Sequence, residues 1–154
     1  MASILAVNLH GLINTPAPVR ATLVELGIGR RFAATVVRGD ATTMGALKLC
    51  KDYVAWCPVD ELLLTSLLEQ RGRVSSAKRL DSSALKKLGY KDYADLASKI
   101  LKQELTLSSV QGVKPFFGLS PPKGGMKRSS RRQFGEGGIL GSNPKLPEMV
   151  KRMI

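Results

Sequence analysis

The chain has 154 residues, 44% of them hydrophobic, which is enough for one domain with an apolar core. Its 24 Lys and Arg against 12 Asp and Glu leave a net charge of +12, so the expected partner is a polyanion, either nucleic acid or an anionic membrane surface. No apolar run approaches the ~18 residues of a membrane-spanning helix, the opening MASILAVNLHGLIN lacks the basic segment of a signal peptide, and two cysteines are too few for a disulfide framework or a four-ligand zinc site, so the reading is a cytosolic protein.

In chain order, residues 3–10 are short and mostly apolar and end at Gly11, which predicts a buried strand. Thr15-Pro16-Ala17-Pro18 predicts a helix start, with Thr15 or a neighbour as cap. Val19, Leu23 and Leu26 recur at helical spacing until Gly27 and Gly29 stop the helix. Residues 32–37 are β-branched and aromatic enough for a second strand. Asp40, Thr42 or Thr43 can cap a second helix, with Met44, Leu47 and Cys50 on one face, and residues 53–57 read as a third strand. This alternation predicts a small α/β or α+β sandwich with helices against one sheet face.

Pro58 opens a strong helix whose apolar stripe is Leu62, Leu63, Leu67 and Leu68, with Asp60 and Glu61 favouring its N-terminal dipole. Residues 73–79 form a basic polar connector. Ser82 or Ser83 caps a short turn, and Asp92 starts a helix carrying Leu96, Ala97, Ile100, Leu101 and Leu105. The chain closes with a short helix near 147–153.

Catalytic and cofactor sites find no constellation in these residues. GEGGILG, residues 135–141, lacks the Gly-Lys-Ser/Thr ending of a phosphate loop and lies too late for a dinucleotide fold, so it reads as flexible backbone. Asp60-Glu61, Asp92 and Asp95 read as helix-start residues. The lone His10 reads as a strand-end residue, and Cys50 and Cys57 as small buried groups.

The charge is concentrated late. Residues 1–110 carry net +5 and residues 111–154 net +7. The stretch 114–132, KPFFGLSPPKGGMKRSSRR, holds six cations and no carboxylate. Its prolines remove backbone donors and its glycines allow tight turns. Such a segment reads as a ribbon that takes its shape on a polyanion. Lys114, Lys123, Lys127, Arg128, Arg131 and Arg132 are the main candidate phosphate contacts, with Arg20, Arg30, Arg31 and Arg38 secondary. Base stacking could use Phe116, Phe117 or Phe134, but Phe116 and Phe117 read rather as core anchors, and recognition with so few aromatics would rest on backbone shape and charge.

VRATLVELGIGRRFAATVV from Val19, KDYVAWCPVDEL from Lys51, LLEQRGR from Leu67, KPFFGLSPPKGG from Lys114 and GEGGILG from Gly135 resemble, in order, segments of the archaeal and eukaryotic large-subunit ribosomal protein L-thirty family. Gly118 and Ser120 stand where that family often has Arg and His, and Cys57-Pro58 where Gly-Glu is usual. The resemblance implies an α+β fold with a βαβαβ, ferredoxin-like core on a three-stranded sheet, with added helices and a basic C-terminal extension. It implies a structural, non-catalytic constituent of the cytoplasmic large ribosomal subunit. The implied partners are large-subunit rRNA, close to the 5S rRNA, and neighbouring ribosomal proteins, with no membrane, cofactor, metal or small-molecule substrate. The expected division is 1–57 as core, 58–110 as a helical addition packed on it, and 111–154 as a basic extended arm with a short helix, within one compact domain. The competing readings are a free RNA-binding assembly or processing factor and a small cytosolic enzyme.

Overall fold

A computed structural model describes residues 3–154. Strand β1 (Ser3–Asn8) is buried at every position. Its sequence SILAVN has no polar face, so cover is needed on both sides. Strands β2 (Ala33–Arg38) and β3 (Val54–Pro58) flank it, each antiparallel to it. Helices α1 (Ala17–Glu25) and α2 (Ala41–Leu49) link the three strands in βαβαβ order. Leu23 and Leu47 of these helices pack with Ile4, Ala6 and Trp56 on one face. On the opposite face Leu5, Val7, Val36 and Cys57 lie under helices α3 (Glu61–Arg71), α4 (Ser82–Lys87), α5 (Tyr93–Leu101) and α6 (Leu146–Met153). Helices therefore cover both sheet faces rather than the one expected, because strands apolar on both sides leave neither face for water.

The sheet has six strands rather than three, in the order β4-β2-β1-β3-β6-β5. The additional strands all come from the late, basic part of the chain. Strand β4 (Phe117–Gly118) adds to β2, strand β6 (Gly138–Ser142) pairs parallel with β3, and strand β5 (Ser129–Gln133) pairs parallel with β6. Both edges of the sheet, β4 and β5, thus come from the stretch read as a ribbon that takes its shape on a polyanion. Between them the chain is fixed. Phe117 is fully buried, and Leu119 and Met126 pack on the same apolar cluster. The Ser120 and Lys123 amides donate to the Met153 and Arg152 carbonyls at the end of α6. Arg71, at the end of α3, donates to Ser120 Oγ (2.7 Å) and to the Met153 (3.3 Å) and Ile154 (2.7 Å) carbonyls. GEGGILG is correspondingly not free backbone. Ile139 and Leu140 are buried in β6, and a Cβ at Gly138 would collide with the Arg132 backbone, so only glycine lets β5 and β6 come this close.

Local departures have local causes. Leu62 is 81% exposed, and the buried stripe of α3 is Leu63, Leu64, Leu67 and Leu68. The helix begins at Glu61, after Pro58 has ended β3; Leu63, Leu67 and Leu68 are buried as expected, and Leu64 takes the place of Leu62. Thr15 does not cap α1. Pro16 occupies the N-cap, and the Thr15 hydroxyl donates to the Gly11 carbonyl at 3.3 Å. Fully buried Asn8 ends β1 and ties two loops together. Its Nδ2 donates to the Ile28 carbonyl (2.7 Å), and its Oδ1 accepts from the His10 (3.0 Å) and Gly11 (2.8 Å) amides. Asn8 thereby sets where the residues before β2, including Arg30 and Arg31, emerge.

Arg71→Ala removes the bonds that hold the strap between β4 and β5 to α3 and α6. Stability should fall by about 2 kcal/mol. Hydrogen exchange at the Ser120 and Lys123 amides should accelerate beyond that global loss, whereas the amides of β1 should follow the global loss alone. Hydrogen-exchange mass spectrometry reads both.

Candidate nucleic-acid interface

Among the described residues the one salt bridge joins Lys99 Nζ to Asp95 Oδ2 at 3.4 Å. None of the cations expected at phosphate takes part in it. Their charge is not neutralised within the protein, so binding an external anion need not first break an internal ion pair.

The secondary group lies on the core. Arg20, Arg30, Arg31 and Arg38 are all exposed. Arg20 Nη2 donates to the Thr15 carbonyl (3.3 Å), and Arg38 Nη2 to the Gln103 carbonyl (2.9 Å). Arg31 Nε donates to the Leu9 carbonyl at 3.3 Å, and its guanidinium stands 4.8 Å from the Phe32 ring centre. These bonds hold the Arg20, Arg31 and Arg38 guanidinium groups, each of which has further donors. In the main group, Lys123, Lys127, Arg128, Arg131 and Arg132 are exposed and Lys114 is half-buried. Lys114 Nζ donates to Ser76 Oγ at 2.9 Å. Arg131 and Arg132 lie on edge strand β5, whose outer side has no strand neighbour.

Folding gathers some of these cations into two clefts. One, of about 210 Å³, is bordered by Lys127, Arg128, Lys145, Arg152, Phe134 and Glu148. The Arg128 guanidinium lies 5.1 Å from the Phe134 ring centre. Arg152 Nη1 donates to the Lys123 (3.2 Å) and Gly125 (3.1 Å) carbonyls, so the Gly124-Gly125 turn, at φ 78° and 71°, is held onto α6. The other cleft, of about 160 Å³, brings Arg30 together with Lys114, Arg73 and Ser76. Arg20, Arg31, Arg38, Lys123, Arg131 and Arg132 border neither cleft.

Sequence reading missed Arg73, Lys145, Arg152 and Arg71. Arg73 sits in the basic connector, where charge alone gives no hint of Lys114. What joins them is the Lys114 amide donating to the Arg73 carbonyl at 2.8 Å. Lys145 and Arg152 reach Lys127 only because β6 and α6 fold back beside β5. Arg71 faces inward and acts by positioning the strap.

The family described as ribosomal protein L30p/L7e matches the chain over residues 6–54, the passage from β1 to β3. Similarity extends further in individual relatives. Large ribosomal subunit protein uL30 of Nitrosopumilus maritimus is 34% identical over 152 residues, covering 99% of this chain and 98% of that protein. Its counterpart from Cenarchaeum symbiosum is 33% identical, with 97% of each chain covered. That of Methanothrix thermoacetophila is 36% identical over 148 residues, covering 96% of this chain and 97% of its own length.

The cysteines lie away from this surface. Burial raises the Cys50 thiol, and burial followed by the Asp60 charge pushes Cys57 up to about 12 from an ordinary 9.0. Both are therefore thiols rather than nucleophilic thiolates at neutral pH. Because the folded state holds the Cys57 proton more tightly than the unfolded chain, this contribution is complete below pH 9.0 and is lost as pH rises towards about 12. Stability should fall in that window by up to ~1.4 kcal/mol per pH unit. Cys57→Ala should flatten the slope by that amount, as read from urea unfolding at stepped pH.

Proposed function

Since the chain belongs to the ribosomal protein L30p/L7e family, we propose that it is a structural constituent of the cytoplasmic large ribosomal subunit that binds large-subunit rRNA through Lys and Arg contacts to phosphate. The observation that carries this reading is the unneutralised cationic stretch fixed across both sheet edges. A phosphate backbone meeting Lys123, Lys127, Arg128, Arg131 and Arg132 finds donors whose main chain is already ordered by β5, β6 and α6. Binding releases the counterions condensed on the RNA, and little ordering cost falls on the protein. Arg30 and Lys114 extend the contact past the opposite edge, and Arg20, Arg31 and Arg38 add charge beside the core loops. We place the site close to the 5S rRNA and against neighbouring large-subunit proteins, following the family resemblance.

Each lysine or arginine on phosphate contributes nearly one unit to the slope of log affinity against log salt. Replacing Lys127, Arg128, Arg131 and Arg132 together by alanine should make that slope for rRNA about three units shallower. The thermal midpoint should stay near that of the parent, because none of the four side chains is buried. Filter binding across a salt series reads the slope. An unchanged slope would contradict phosphate contact by these residues. Substitution is the sounder test, since deletion of 123–132 would strip β6 of its partner β5.

A further inference from the structure

Phe116 is a phenylalanine that the core does not use. Phe117, the first residue of β4, is buried in the core, whereas Phe116 just before it is half-buried and is not the core anchor expected. Phe116 packs with neither apolar cluster. It lines two clefts at once. One is the 160 Å³ cleft of Arg30, Arg73, Ser76 and Lys114. The other, of about 300 Å³, is lined by Leu12, Val24, Gly27, Gly29, Ala33 and again Arg30. The lining of the two clefts contains three cations and no carboxylate. Lys114 Nζ is steered by Ser76 to 5.7 Å from the Phe116 ring centre.

We infer that Phe116, the apolar cleft beside it, and Arg30, Arg73 and Lys114 at its rim form a pocket for one unpaired nucleotide of an RNA strand. The base lies against the Phe116 ring and the apolar wall, and its flanking phosphates meet the three cations. An aromatic ring beside unneutralised Arg and Lys is the arrangement that holds single-stranded bases, because every base offers a flat apolar face within reach of a charged backbone. An apolar protein segment in the same cleft would leave three cations without partners. The Arg128–Phe134 platform differs in that its cleft also carries the Glu148 carboxylate, whereas none lines the two clefts at Phe116. The assignment rests on the RNA-binding reading above and refines it, since it specifies a base contact where charge alone implies only backbone contact.

The test compares Phe116→Ala, Phe116→Leu and Phe116→Tyr in the full chain. The probes are a single-stranded RNA of roughly ten nucleotides and a duplex of the same length, read by fluorescence anisotropy at low salt. The alanine and leucine variants should lose about five- to a hundredfold in single-strand affinity. The tyrosine variant should keep it, and all three should bind the duplex like the parent. Leucine preserves bulk, so its loss cannot come from collapse of the cleft. Single-strand affinity unchanged in the alanine and leucine variants would overturn the pocket and leave phosphate binding standing. An equal loss on both probes would overturn it as well, by making Phe116 a prop for the surface. Failure of the parent to bind either RNA would remove the phosphate reading together with the pocket.

Discussion

The structure depends on two short strands from one cationic stretch being held at the edges of a sheet whose central strand is fully buried. β1 is covered on both faces by helices and on both sides by β2 and β3, so the interior of the sheet has no place for charge. Its edges are completed by β4 and β5, both drawn from one cationic stretch. The local charge opposes this, because residues 111–154 carry net +7 and like charges repel. Uncharged forces prevail. Burial of Phe117 contributes about 2–3 kcal/mol, and ladder bonds join β4 to β2 and β5 to β6. Arg71 ties the strap to α6 by donating to Ser120 Oγ and the Met153 carbonyl, and Arg152 donates to the strap carbonyls of Lys123 and Gly125. The charged edge strand β5 also discourages sheet-to-sheet association.

This arrangement separates two tasks that the sequence places in one segment. Inward positions of 114–142 (Phe117, Leu119, Met126, Ile139 and Leu140) bind the segment to the core. Outward positions (Phe116, Lys123, Lys127, Arg128, Arg131 and Arg132) remain for a partner. Preorganisation follows, because an RNA that meets these cations does not have to order the whole chain that carries them. On the proposed reading, the counterpart of that surface is a folded RNA dense in phosphate.

Much of the fold was legible. Val19 and Leu23, Leu47 and Cys50, Leu96 with Ala97 and Ile100, and Leu146 with Met149, Val150 and Met153 each mark a buried helix face at helical spacing, and each is buried. The first three strands stood out because their apolar runs are five or six residues long. The last three did not. β4 has two residues, β5 is SSRRQ with no apolar side chain, and β6 begins and breaks with glycine. These strands form through pairing with distant partners, which no local pattern records. The candidate cations were legible as charge, whereas their grouping was not. Arg30 meets Lys114 and Arg73 only because β4 docks on β2, and Lys127 meets Lys145 and Arg152 only because α6 returns beneath the strap.

The most direct measurement compares amine acylation of lysines in the free chain and in the assembled large subunit, mapped by mass spectrometry. Lys123 and Lys127 are exposed in the chain alone and should become strongly protected on assembly. If they acylate equally fast in both states, the cationic strap does not face RNA, and the account of this surface fails.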